Sequence, residues 1–172
     1  MNEETRKNFH QSAMRNGTIL GAVWSTMYLL LFAGTTNMLA LTLCMILYVA
    51  SPFIAGGMAI KFRRNACNDR IGYLPAFSYL LYTYICATLL STLAVYIYFA
   101  FFDNGAFFST IYGMFDEIGK VADDALAQQI DQTRKIIDNT TTSSITWQLM
   151  NNNFVNTAIM PLVIAIFVKK TR

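Results

Sequence analysis

Side-chain amides are the groups of this sequence whose type and spacing could do chemistry inside an apolar stretch. They occur near the start of the last such stretch, at Gln148, Asn151, Asn152 and Asn156. On a helix with 100° per residue these positions fall within an arc of about 140°, with Asn153 at its edge. Because an unpaired amide is costly in lipid, we expect this polar face to point into the protein, a cavity or water. Asn152, at the centre of the arc, should be the most enclosed.

Three interpretations of this amide face remain open. Hydrogen bonds between helices would make it structural. A half-helix that projects from the membrane would leave the amides in water. A polar cavity would let them bind a small solute.

Groups for acid–base or nucleophilic catalysis are sparse. The single histidine, His10, lies in the polar first 15 residues, and no carboxylate lies within the apolar stretches. The three cysteines, Cys44, Cys67 and Cys86, match no metal or redox spacing. Nucleophilic catalysis needs a base beside the nucleophile, and proton coupling normally needs an ionisable group at membrane depth. We therefore expect a protein that is not an enzyme, with no cofactor and no metal site.

The elements that carry these residues are long and uncharged. Of the 172 residues, 55% are hydrophobic and 13% are charged, whereas about 25% of residues in a soluble domain are charged. Residues 16–60, 71–102 and 139–168 contain no Asp, Glu, Lys or Arg. A helix in water carries a polar face, so we expect lipid around these stretches.

The first long apolar stretch must fold back on itself. As one helix, residues 16–62 would measure roughly 70 Å, and the hydrocarbon core is about 30 Å thick. The turn-forming residues 34–37 provide the break. We predict a single all-α membrane domain with four transmembrane helices, at about 16–34, 37–61, 73–102 and 145–168.

Small residues follow one another at helical spacing in the first of these spans. Gly17, Gly21 and Ser25 form a stripe that lets another helix backbone approach closely. The partner could belong to the same chain or to a second copy.

Basic residues predict how the chain is oriented. Residues 1–15, 61–70 and 169–172 contain three, four and three of the thirteen Lys and Arg. The positive-inside rule places both termini in the cytoplasm. Residues 103–144 then lie outside; their apolar residues recur at helical spacing opposite acidic ones, which predicts an amphipathic helix, or two helices broken near Gly113 or Gly119.

The second half of the chain resembles a known family. The aromatic-rich run YIYFAFFDNG (residues 96–105), the charged segment after it and a last span that ends in Lys169-Lys170 resemble a family of uncharacterised bacterial four-span membrane proteins, a domain of unknown function. The resemblance covers most of the chain. It implies four spans and a location in the bacterial cytoplasmic (inner) membrane, and it implies no activity.

The leading functional expectation is a non-enzymatic scaffold or accessory subunit of a membrane complex. The alternative is a small transporter or channel with a polar path lined by span four. The expected partners are the lipid bilayer and either another membrane protein or a second copy of the chain. We expect no nucleic-acid partner, because the basic residues sit at the ends of apolar spans, where they orient a membrane protein.

Overall fold

The computed structural model describes residues 3–35, 37–120 and 123–171. Nearly all of these residues are helical, and their one extended pairing is an antiparallel bridge between Ile71 and Lys170. The helices, in chain order, are α1 (Glu3–Ala33), α2 (Met38–Ala66), α3 (Tyr73–Phe101), α4 (Ala106–Gly119), α5 (Asp124–Asp138) and α6 (Thr142–Val168).

Four of these helices, α1, α2, α3 and α6, are long and apolar enough to cross a membrane. Their apolar segments contain 25 to 29 residues, which corresponds to about 38–44 Å at 1.5 Å per residue. This length exceeds the hydrocarbon core of about 30 Å. The prediction of an all-α protein with four such helices is confirmed, and the chain is a multi-pass membrane protein. The segments are Phe9–Ala33, Met38–Ala66, Tyr73–Phe101 and Ser143–Val168.

The polar first residues of the chain belong to α1, which begins at Glu3. Phe9 is buried, and its ring packs edge-on against Phe62 and Tyr79, with ring centroids 5.8 and 5.6 Å away. This apolar contact fixes the start of the helix to α2 and α3. The charges near the start of α1 are typical of a solvated tail, and the packing of Phe9 instead makes this part of α1 a member of the bundle.

The four long helices run antiparallel in chain order, so the bundle has two different ends. The basic end comprises the start of α1, the α2–α3 loop and the end of α6; the opposite end carries α4 and α5. α1 packs on both α2 and α3, and α3 packs on α6. α2 and α6 also contact each other, less extensively, so the four helices form a closed bundle in the order α2–α1–α3–α6.

Small residues allow close helix approach near the basic end. A buried cluster there contains alanines that are at most 1% exposed. Phe62 stacks on Tyr79 in the same cluster with ring centroids 4.1 Å apart. Asn16 donates a hydrogen bond from Nδ2 to the Tyr79 hydroxyl at 2.6 Å. The alanines are Ala13, Ala55, Ala59, Ala76, Ala87 and Ala165.

Two short helices connect α3 to α6. A turn at Asn104 and Gly105 precedes α4; Gly105 has φ +80°, a left-handed conformation that glycine adopts without steric cost. Asp103 fixes this turn, because its carboxylate accepts hydrogen bonds from the backbone of Gly105 and Phe107, both at 3.1 Å. α4 ends at Gly119, and α5 begins at Asp124. Of the two alternatives for this segment, the structure has two helices with the break at Gly119.

Candidate functional site: a cavity between α2 and α6

α2 and α6 touch near the basic end and lie apart towards the other end. Ala55 and Ala59 of α2 share a buried cluster with Ile164 and Ala165 of α6. Farther from the basic end, α2 residues such as Tyr48 are more than half exposed. The two helices therefore diverge, and α1 lies behind the space that opens between them.

This space is a cavity of about 510 Å³. Its wall consists of residues from α1, α2 and α6 together with one residue of α3, and none of these side chains is charged. The volume lies within the range of roughly 300–1,000 Å³ that is usual for small-molecule sites. Apolar atoms make up most of the wall, and five of its residues are aromatic: Trp24, Tyr28, Tyr48, Phe53 and Tyr84.

The polar groups on this wall come from three helices. The Tyr28 hydroxyl of α1 donates a hydrogen bond to Oδ1 of Asn153 on α6 at 2.6 Å. Trp24 Nε1 of α1 donates to Ser51 Oγ of α2, also at 2.6 Å. Nδ2 of Asn153 is buried and has no hydrogen-bond partner among the described residues. Two hydrogen bonds thus join residues of the wall, and one of these residues, Asn153, also has a buried donor without a partner among the described residues.

The structure distributes the predicted amide face differently from our expectation. Gln148, Asn151 and Asn152 are exposed, although Asn152 lies at the cavity wall, whereas Asn153 is 5% exposed. The side chain of Asn156 lies outside the part of the structure that is described. The prediction that Asn152 is the most enclosed amide is therefore wrong. Gln148, Asn151 and Asn152 face outward because α6 buries the adjacent face.

A signal for the buried face was present at the other end of α6. Five of its buried residues follow one another at intervals of three or four, the spacing of one helix face: Asn153, Thr157, Pro161, Ile164 and Val168. Following this spacing back from Val168, at the apolar end of α6, identifies Asn153 as a residue of the buried face. A prediction that considers only the amides selects the exposed face of the helix in place of the buried one.

A hydrogen bond fixes the rotation of α6. Thr157 and Thr88 of α3 are both buried, and their hydroxyl oxygens lie 2.8 Å apart. Since Thr157 lies one turn after Asn153, this bond and the Tyr28 bond hold the same face of α6 against the bundle. Sequence reasoning missed both threonines, because hydroxyls in apolar helices commonly bond to their own backbone.

The small-residue stripe lies against α3 and not against α2. A Cβ atom on Gly17 would come within 2.5 Å of Cys86 Cβ and 2.8 Å of the Thr83 carbonyl oxygen. A Cβ atom on Gly21 would lie 3.1 Å from the Ala87 Cα atom.

Ser25, the third member, is half-buried, and its hydroxyl bonds to the Gly21 carbonyl of its own helix at 2.8 Å. A bulky replacement of Gly21 would therefore act first at the α1–α3 contact, although α2 is the next helix in the chain.

An ionic cluster closes the basic end below the cavity. Arg63 is 9% exposed and donates from Nε to Asp69 at 2.8 Å and from Nη1 to the Val168 carbonyl at 2.7 Å. Lys170 also donates to Asp69, and Ile71 pairs with Lys170 through two backbone hydrogen bonds of 2.9 Å. The hydrogen bonds from Lys170 and Arg63 lower the pKa of Asp69. This cluster ties the end of α6 to α2 and to the α2–α3 loop.

The cavity and the ionic cluster both lie within a segment of the chain that matches a protein-family model. The family model for proteins of unknown function named DUF4199 matches residues 15–170. The chain belongs to the DUF4199 family. The match includes every residue of the cavity wall and the ionic cluster of the basic end. A search of curated proteins and of solved structures gave no significant match.

The α4–α5 segment of this DUF4199 protein presents a second distinctive surface. None of the described residues of α4 is buried, and Ile130 is the one buried residue described for α5. Arg134 of α5 pairs with Asp116 of α4 at 2.5 Å, and the hydrogen bond and charge of Asp116 raise the pKa of Arg134. Apolar side chains on these helices remain about 40% exposed or more: Met114, Ile118, Leu126 and Ile136.

The described residues contain no group of three or more His, Cys, Asp or Glu side chains that could hold a metal ion. His10, the one histidine, packs edge-on against Tyr82 near the basic end, with ring centroids 5.1 Å apart. The cysteines are free thiols on three separate parts of the bundle. The cavity is therefore the feature of the described structure best suited to hold a molecule.

Proposed function

We propose that this protein is a non-enzymatic membrane protein that binds a small apolar or amphiphilic molecule in the cavity between α2 and α6. The observation that carries the proposal is the cavity itself: about 510 Å³, uncharged, and bounded by a buried asparagine. Of the three interpretations of the span-four amides, this geometry favours a cavity that binds a solute. Asn153 is the amide most closely involved.

The size of the cavity favours a small molecule over a helix of another protein. A helix about 10 Å wide that crosses a core of about 30 Å occupies roughly 2,400 Å³. The cavity provides about 510 Å³, about a fifth of that volume. A molecule of drug or lipid-chain size fits these dimensions.

The exposed residues on the α2 side of the wall favour entry from the bilayer. Met45, Tyr48, Val49 and Phe53 line the cavity and are 53–75% exposed. They lie in the middle of a span, where lipid is the surrounding medium. A molecule dissolved in the bilayer would therefore reach the cavity without crossing water.

The composition of the wall favours binding over catalysis. In the part of the chain that the structure describes, no His, Asp, Glu or Lys lies on the wall, and the Ser51 hydroxyl accepts the Trp24 hydrogen bond. A serine nucleophile needs a neighbouring base to take its proton. A transporter would use the same cavity to bind its substrate. A flux assay in liposomes would detect such transport.

Tryptophan fluorescence provides a direct test of binding. Trp24 lies on the cavity wall, and Trp147, the second of two tryptophans, is 65% exposed. In a Trp147→Phe background, a brominated hydrocarbon that enters the cavity should quench Trp24 saturably, because bromine quenches on contact. Val49→Phe, which adds a ring at the wall, should weaken the quenching. Val163→Phe, the same change at an exposed position of α6 away from the wall, should not.

Quenching that rises linearly with probe concentration, with no difference between the two phenylalanine variants, would refute a binding site. Such a result would mean that the probe reaches Trp24 only by dissolving in the surrounding detergent or lipid.

A second candidate function is that of a scaffold or accessory subunit that binds another integral membrane protein through α4 and α5. The exposed apolar side chains of that segment favour it, since Ile136 alone is 65% exposed. A photo-crosslinker at Ile136 should then capture a membrane protein that a crosslinker at the polar position Asp131 does not. Equal capture from both positions would contradict this function.

The proposed location is the cytoplasmic membrane of a bacterium, with both termini in the cytoplasm. The basic end collects Arg63, Arg64, Lys169 and Lys170, which supports this orientation through the positive-inside rule. The α4–α5 segment would then lie outside.

A further inference from the structure

The unused donor of Asn153 lies at the depth where it is most costly. Asn153 is ten residues from Ser143, where the apolar segment of α6 begins. Ten residues of helix correspond to about 15 Å, half of a hydrocarbon core of about 30 Å. Its Nδ2 is buried without a partner among the described residues. A buried polar group without a partner is unusual in proteins and points to a missing ligand or water.

The length of the Tyr28 bond identifies which atom of the amide is unused. The Tyr28 oxygen lies 2.6 Å from Asn153 Oδ1. This is a usual distance for an O–H···O hydrogen bond, whereas N–H···O bonds centre on about 2.9–3.0 Å. The amide oxygen therefore faces the tyrosine, and the nitrogen, which can only donate, is left without an acceptor.

The rest of the wall restricts the acceptor to an uncharged group. Among the described residues, no Lys, Arg or His lies on the wall to balance an anion. A carboxylate or phosphate at this depth would be an unpaired charge in a medium of low dielectric constant, which is strongly unfavourable. A carbonyl oxygen accepts the same hydrogen bond without carrying a charge.

We propose that the cavity holds an uncharged, lipid-soluble molecule whose carbonyl oxygen accepts a hydrogen bond from Nδ2 of Asn153 after a small side-chain movement uncovers that buried atom; this inference rests on the proposed binding function. The volume favours a single chain or ring system over a two-chain phospholipid. At about 30 Å³ per non-hydrogen atom, the size of a water molecule in the liquid, the 510 Å³ holds roughly 17 atoms. The aromatic residues of the wall provide flat surfaces for such a molecule.

The test compares two probes that differ only in the carbonyl. A brominated long-chain methyl ketone and the brominated alkane of equal length are titrated into the Trp147→Phe protein, with Trp24 quenching as the readout. The ketone should bind roughly 3- to 18-fold more tightly, the range that corresponds to one hydrogen bond inside a membrane protein. Asn153→Leu should abolish this preference. Asn151→Leu, the same change at an exposed amide away from the wall, should retain it.

The outcomes separate this inference from the function on which it rests. Equal affinity of ketone and alkane for the unmutated cavity would overturn the carbonyl inference and leave apolar binding standing, and this comparison remains decisive even if Asn153→Leu does not fold. Absence of saturable quenching by either probe would overturn both. A brominated phosphatidylcholine that quenches in preference to the ketone would overturn the single-chain assignment.

Discussion

Replacing Gly17 by alanine adds one methyl group where α1 and α3 touch most closely. The new Cβ atom would lie 2.5 Å from Cys86 Cβ and 2.8 Å from the Thr83 carbonyl oxygen. Both atoms belong to or adjoin the α3 backbone, so no side-chain rotation can relieve the overlap. The two helices have to move apart, and we expect Gly17→Ala to destabilise the fold.

Gly57 provides a matched control for the size of this effect. It lies inside α2, and a Cβ atom there would meet nothing within 4 Å. Alanine is favoured over glycine in a helix by about 0.8–1.0 kcal/mol, and this term is common to both substitutions. The difference between Gly17→Ala and Gly57→Ala therefore isolates the cost of overpacking, about 1–3 kcal/mol.

Thermal unfolding in detergent, followed by helical circular dichroism, measures this difference. About 2 kcal/mol corresponds to roughly 4–8 °C for a chain of this size. Gly17→Ala should therefore unfold that much below Gly57→Ala, which should itself equal or exceed the unmutated protein. If the two variants unfold at the same temperature, the close approach of α1 and α3 at Gly17 is refuted.

Three further predictions concern the amides, the ionic cluster and the topology. Asn152→Leu should be tolerated because Asn152 is exposed, whereas Asn153→Leu removes the hydrogen bond with Tyr28 and should destabilise the protein by about 0.6–1.7 kcal/mol, the range for one hydrogen bond between membrane helices; equal thermal stability of the two variants would contradict the burial of Asn153. Because its basic partners lower the pKa of Asp69, its stabilising effect should be present above about pH 4, its unfolded pKa, and lost as the pH falls through the lower folded pKa. The difference in unfolding temperature between the unmutated protein and Asp69→Asn should therefore disappear in acid, and a difference that persists there would argue against this ion pair. With the three native cysteines replaced, a membrane-impermeant thiol reagent on intact cells should label a cysteine at Gln128 and not one at Asn65, and the reverse labelling would invert the proposed orientation.

Part of the candidate site could be predicted from the sequence, and the rest depends on contacts between helices. The amides of span four drew attention to the correct part of α6, because any amide in an apolar stretch needs a partner. Which amide is enclosed depends on the rotation of α6 about its own axis. The buried Thr157–Thr88 bond and the Tyr28–Asn153 bond set that rotation, and each joins residues far apart in the chain.

The same distinction applies to the packing of α1. The spacing of Gly17 and Gly21 predicted a face for close helix contact, since the absence of a side chain is a local property. Which helix packs against that face does not depend on the local sequence. α3 occupies that position, although α2 is the next helix in the chain.

The sequence by itself determined the number of membrane-spanning helices. Whether a stretch of some 25 uncharged, apolar residues prefers lipid to water depends on its own composition. Only the tertiary structure decided that α1 continues to Glu3, that Asn153 is the enclosed amide and that a cavity separates α2 from α6. A cavity forms where two helices fail to touch, and this depends on how both pack against α1 and α3, so no single segment of the chain encodes it.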